Sequence, residues 1–201
     1  MTTQEPRLED VEESWPVVES TDLHRDEWIV ALRADLITAP SHPEGEPFRR
    51  LVLEHPGAAV VLAVDDEERV VCVSQYRHAA RRRFIELPAG LCDADGEDPL
   101  AVAQRELQEE AQLAAEEWTH LASAYSSPGI SSERMHFYLA RGLRDVDRGD
   151  FELEHEEADM QVFRVPYADL VDAILAGRVT DAPVILAVLT AQARGLAGAR
   201  P

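Results

Sequence analysis

Short apolar runs separated by turn-forming segments dominate the first two thirds of the chain and predict strands. Residues 28–38 (WIVALRADLIT) and 48–54 (FRRLVLE) flank the Pro/Gly-rich break SHPEGEP, which predicts an antiparallel pair forming a small accessory sheet. After His55-Pro56-Gly57, residues 58–64 and 70–76 flank the acidic turn Asp65-Asp66-Glu67-Glu68 and predict a hairpin of buried strands. Residues 84–87 predict a short strand that ends where the chain bends at Pro88-Ala89-Gly90. Residues 121–125 and 135–139 flank the turn-rich SSPGISSER, with Met135, Phe137 and Leu139 alternating inward, and residues 161–165 predict a last strand.

Helical periodicity appears three times. Asp98 is placed to accept from free amides at a helix start and Pro99 to occupy the first helical position, where a missing N–H costs nothing. From there Leu100, Ala103, Leu107 and Ala111 recur at three- and four-residue spacing, an apolar stripe with a charged opposite side. Residues 167–176 predict a helix stopped by Gly177, and 183–194 one opened by Asp181 and stopped by Gly195. Residues 1–24, rich in Glu, Asp, Thr and Ser without periodicity, read as a tail. Strands mixed with helices through mostly hairpin-length links indicate α+β layers, not a parallel doubly wound sheet.

Composition narrows the function classes. The 201 residues carry 39 Asp plus Glu against 19 Lys plus Arg, a net charge of -20, while 45% hydrophobic content is enough to fill a core. A surface this acidic repels phosphate backbones and anionic membranes, so neither nucleic acid nor a membrane is an expected partner, and divalent cations are the natural counterpart. Residues 1–15 lack a basic start and an apolar core, so no secretory signal is expected and the cytoplasm is the expected location. The longest apolar runs fall far below the roughly 20 residues that span a bilayer. Cys72 and Cys92 belong to no CxxC or Cys/His cluster and read as free thiols.

The stretch that carries chemistry is GLCDADGEDPLAVAQRELQEEAQL, residues 90–113. Glu106 and Glu110 are four apart and Glu109 is three from Glu106, so all three carboxylates share one helix face, and Glu97 adds a fourth before the helix. Like charges stacked in this way are destabilising. Either water solvates them, with Arg105 and Glu109 forming an ordinary i,i+4 pair, or a divalent metal neutralises them, and hard oxygen ligands specify Mg²⁺ or Mn²⁺.

Gly90, Glu97 and the run Arg105-Glu106-Leu107-Gln108-Glu109-Glu110-Ala111-Gln112-Leu113 resemble the signature box of the Nudix hydrolases, a family that cleaves nucleoside diphosphates linked to another moiety. One extra residue lies between Gly90 and Glu97, and Gln112 stands where the family pattern has Gly, so a left-handed helix stop costs about 1 kcal/mol more than with glycine. Over residues 28–189 the chain is similar to the ADP-ribose pyrophosphatase branch. That similarity rests on the N-terminal strands, Gln75-Tyr76-Arg77-His78, Glu86-Leu87-Pro88-Ala89-Gly90 and Ser127-Pro128-Gly129, with Pro128 fifteen residues beyond Leu113.

The resemblance implies a Nudix α/β/α sandwich with a mixed sheet from residue 56 onward, preceded by a tail and dimerisation strands in residues 1–55. It implies that Glu106 and Glu110 bind Mg²⁺, which Mn²⁺ can replace, with Glu109 nearby and the carbonyl of Ala89 as a further ligand. Arg105 orients the cluster, and Arg77 is the cation expected opposite the metal, because attack on pyrophosphate needs charge neutralised on both sides. Arg81-Arg82-Arg83 is expected to be a solvated basic loop. The base comes from a loop after the box, where Glu157 is preferred and Glu156 is second. Trp28 and Arg50 are expected to complete a nucleotide site across a homodimer. The implied activity is hydrolysis of ADP-ribose to AMP and ribose 5-phosphate; the alternatives are another nucleoside diphosphate sugar, or a module that binds ADP-ribose without cleaving it.

Overall fold

The computed structural model describes residues 8–26, 30–94, 96–149 and 159–198. The chain divides into two compact units, Met1–Glu54 and His55–Pro201. In the first, β1 (Val17–His24), β2 (Ala31–Ile37) and β3 (Phe48–Glu54) form an antiparallel sheet in the order β1-β2-β3. The β2–β3 pair matches the expected hairpin, running from Ala31 opposite Glu54 to Ile37 opposite Phe48. The expected tail is corrected over residues 17–24, which form β1. Every residue of β1 is exposed, so no buried alternation marks it in the sequence. Backbone pairing with β2 and polar ties such as Ser20 Oγ donating to Asp35 Oδ1 at 2.6 Å hold it instead.

The second unit begins with β4 (Ala58–Ala63) and β5 (Arg69–Arg77), joined by the acidic turn. Asp65 shapes that turn, its Oδ1 accepting from the amides of Glu67 and Arg69 at 3.0 and 2.9 Å. The turn is as expected but the hairpin is not. Beyond a single bridge at Val64 and Val70 the two strands part into different sheets. β4 runs parallel to β9 (Arg134–Asp145) and antiparallel to β7 (Ala89–Leu91), in a sheet ordered β7-β4-β9-β8. β5 lies between β10 (Gln161–Pro166) and β6 (Arg82–Glu86).

β4 serves two cores. Val60, Leu62 and Val64 face one, with α2 (Tyr167–Leu175) and α3 (Ala182–Ala193), while Ala59, Val61 and Ala63 face the other, with α1 (Pro99–Ala111). Alternate residues of β9 divide likewise, Phe137 to the first and Tyr138 to the second. The result is a mixed sheet layered between helices. β8 (Leu113–Tyr125) and β9 are longer than their apolar centres indicate, because antiparallel pairing carries them out to Leu113 opposite Asp145. The expected bend at Ala89-Gly90 is a three-residue strand on the edge of β4. No described helix is long and apolar enough to cross a membrane.

Candidate active site

The site is built on α1. The Asp98 carboxylate accepts from Leu100 N at 3.0 Å with Pro99 at the first helical position, as its sequence requires. Val102, Ala103 and Leu107 are fully buried against β4, which fixes the rotation of the helix. That rotation sets Glu106 and Glu110 beside β7, where they are 8% and 6% exposed. The solvated-face alternative is thereby overturned for these two carboxylates.

Their surroundings suit charge. Ala89 N donates to Glu110 Oε2 at 3.0 Å. A Cβ on Gly90 would lie 2.0 Å from Glu106 Oε1, so only glycine leaves space for that carboxylate. Arg105 Nη1 donates to Glu106 Oε1 at 2.7 Å and to Glu109 Oε2 at 3.0 Å, and its Nη2 lies 3.8 Å from Glu97. Partial burial disfavours the Arg105 charge, but Glu106 and Glu109 outweigh it and raise the guanidinium's pKa. Gly96, at φ 78, takes up the turn in the loop ahead of α1, with Glu97 N bonded to Ala94 O.

Arg77, at the end of β5, is held by Glu86 of β6: its Nε donates to Oε1 at 2.9 Å and its Nη2 to Oε2 at 2.6 Å. The Glu86 hydrogen bond, opposed by burial and aided by the charges of Glu86, Glu110 and Asp181, raises its pKa. Glu86, 7% exposed, is a residue that sequence reasoning quoted within a motif but gave no role. Asp181 was legible only as a helix cap; burial pushes its carboxyl up to about 6, against the pull of the Val184 amide. Burial pushes the Cys72 thiol up to about 12.

The structure brings together Ala89, Arg105, Glu106, Glu109 and Glu110, while Arg77 is paired with Glu86. Arg50 belongs to the N-terminal unit, exposed and 4.5 Å above the Phe48 ring. Pro128 is exposed in the turn between β8 and β9, where Ile130 N reaches Ser127 O at 3.0 Å. Trp28, Glu156 and Glu157 lie outside the described residues. The basic triplet is not purely solvated: Arg83 donates to Ser74 O at 3.1 Å and to both the carbonyl and the carboxylate of Asp159.

Among the described residues no three His, Cys, Asp or Glu side chains converge as a metal cage. The donor chemistry nonetheless fits a hard divalent cation. Two buried carboxylates one helical turn apart flank a backbone strand, and the space beside one of them exists only because residue 90 is glycine.

The NUDIX domain model matches residues 53–188. The chain is 41% identical over 192 residues to the ADP-ribose pyrophosphatase of Mycobacterium tuberculosis, covering 94% of this chain and 90% of that one. It is 35% identical over 146 residues to the ADP-ribose pyrophosphatase of Bacillus subtilis, covering 73% and 77%. A solved structure titled "Crystal structure of ADP compounds hydrolase" shares the fold at a TM-score of 0.72 and 18% identity, covering 94% of this chain and all of that one. Nudix hydrolases generally use a divalent metal. With the helix, its carboxylates and its glycine in place, the chain belongs to the Nudix hydrolase family.

Proposed function

We propose that the chain hydrolyses the pyrophosphate bond of ADP-ribose, yielding AMP and ribose 5-phosphate, with Mg²⁺ as the cation and Mn²⁺ as a substitute. The observation that carries the chemistry is the burial of Glu106 and Glu110 against Ala89 and Gly90. The substrate comes from the likeness to the mycobacterial and Bacillus enzymes.

Glu106, Glu110 and the carbonyl of Ala89 would hold the cation, with Glu109 beside them. When bound, it neutralises phosphate oxygens and acidifies water. Arg105 keeps Glu106 and Glu109 on one face despite their mutual repulsion. Arg77, steadied by Glu86 through Nε and Nη2, supplies positive charge for the pyrophosphate. Glu157, with Glu156 as second choice, accepts the proton of the attacking water. The water oxygen then joins one phosphorus, and the P–O bond of the bridge breaks.

The exposed apolar side chains of the N-terminal sheet, Val17, Val18, Leu23 and Leu51, suit it to be a homodimer interface, through which Trp28 and Arg50 serve the nucleotide of the second subunit. The working location is the cytoplasm. Paired substitutions test the assignment. Glu110→Gln is expected to lower turnover about a hundredfold or more with the fold intact. Glu157→Gln is expected to lower kcat more than it raises KM. Full activity in the first variant removes the metal role, and a kcat effect confined to Glu156→Gln moves the base by one residue.

A further inference from the structure

A helix leaves its last four carbonyls without intrahelical partners. At the end of α1 the Gln112 amide closes onto Gln108 O at 3.0 Å, and the chain then turns directly into β8, so no further turn of helix can serve Glu109 and Glu110. Their carbonyls are taken by Arg148, whose Nε donates to Glu109 O at 2.6 Å and whose Nη2 donates to Glu110 O at 3.4 Å. The last turn of α1 contains no basic residue of its own, so Arg148 also brings positive charge to the negative end of the helix dipole.

Arg148 is delivered with some care. After β9, Val146 N donates to Gln112 O at 3.0 Å, and the Gln108 side chain donates to Asp147 O at 2.8 Å. Asp147 Oδ1 then accepts from Gly149 N at 2.8 Å, closing a tight turn around Arg148. Four hydrogen bonds therefore tie residues 146–148 to the end of α1, and two of them fall on the backbone of Glu109 and Glu110.

We propose that Arg148 is a positioning residue: by holding the carbonyls of Glu109 and Glu110 it fixes the direction in which those two side chains leave the last turn of α1. Its hydrogen bonds run to backbone oxygens of α1, so it acts through Glu109 and Glu110. Helix ends fray unless capped, and here Gln112, in the left-handed region at φ 56, is a weaker stop than glycine. A loosened last turn swings Glu110 away from Ala89 N and separates it from Glu106 on the turn before. The inference rests on the metal-holding role proposed for the α1 carboxylates.

The test is direct Mn²⁺ titration of the full chain without substrate, followed by electron paramagnetic resonance at 20 °C, with circular dichroism showing every variant folded at that temperature. Arg148→Met keeps the apolar stem and removes the donors, and about tenfold weaker Mn²⁺ binding is expected. Arg148→Lys, which keeps the charge and a single donor nitrogen, is expected to recover a large part of that loss, and it stands in as the test should the methionine variant fail to fold. A merely stabilising arginine would leave the affinity of the folded protein unmoved. Wild-type affinity in the methionine variant, or a lysine variant binding no better than it, overturns the proposal. Glu110→Gln runs beside them: if it alone weakens binding, the metal role stands and the Arg148 role falls, whereas wild-type binding in Glu110→Gln shows that the metal role itself is wrong.

Discussion

Gln112 adopts φ 56 and ψ 40, a conformation in which any side chain but hydrogen costs free energy. Its side chain is exposed, so glycine there removes strain at little loss of contact. Gln112→Gly is expected to raise the unfolding free energy by about 1 kcal/mol, read from urea unfolding midpoints at unchanged slope. A lower midpoint would mean that the glutamine contributes more than its backbone loses. The cost was legible from the sequence because it depends on one residue and its place at a helix end. The carboxylate face was legible for the same reason, since Glu106, Glu109 and Glu110 lie within a single turn and a half of helix. Partners far apart in the chain were not: Arg77 meets Glu86 nine residues on, and Arg148 meets Glu109 across 39.

α3 starts at Asp181, whose carboxylate accepts from Val184 N at 3.0 Å, the local cap that its sequence position indicates. Burial and the nearby Glu86 carboxylate add what local sequence does not show, and they push the Asp181 pKa up to about 6. The folded chain therefore holds this proton more tightly than the unfolded chain, so its ionised form is a net cost above about pH 6. That cost shrinks as pH falls towards the ordinary carboxylate value of about 4. Asn caps a helix as well as Asp does, so Asp181→Asn is expected to stabilise the protein at pH 7 by about 1 kcal/mol, after discounting for partial exposure. The gain should fade by pH 4 in thermal melts across that range; an equal gain at both pH values would contradict a raised pKa. The other elements show where pattern alone stops. Apolar runs located β4 and β5, but an acidic turn between two apolar strands cannot reveal that β4 pairs with the distant β9, Ala58 opposite Met135. β1 escaped because none of its eight residues is buried.

At the scale of the whole molecule, a net charge of -20 opposes self-association, so a dimer needs an interface large enough to prevail, above roughly 2,000 Å² in total. Salt screens that repulsion and should strengthen the dimer. Light scattering is expected to give twice the chain mass of 22.4 kDa, and a concentration-independent monomer active on ADP-ribose would remove the shared nucleotide site. The same acidity opposes the approach of a pyrophosphate, and the arginines of the site, Arg77 and Arg105, are engaged by carboxylates. The claim on which the rest depends is the reaction itself. Its direct test is product analysis by phosphorus NMR with Mg²⁺ and ADP-ribose, beside GDP-mannose and UDP-glucose at equal concentration. Stoichiometric AMP and ribose 5-phosphate, formed faster than products from either competitor and abolished by chelator, is the expected result. ADP-ribose that binds but stays intact, or a competitor cleaved in preference, would contradict it.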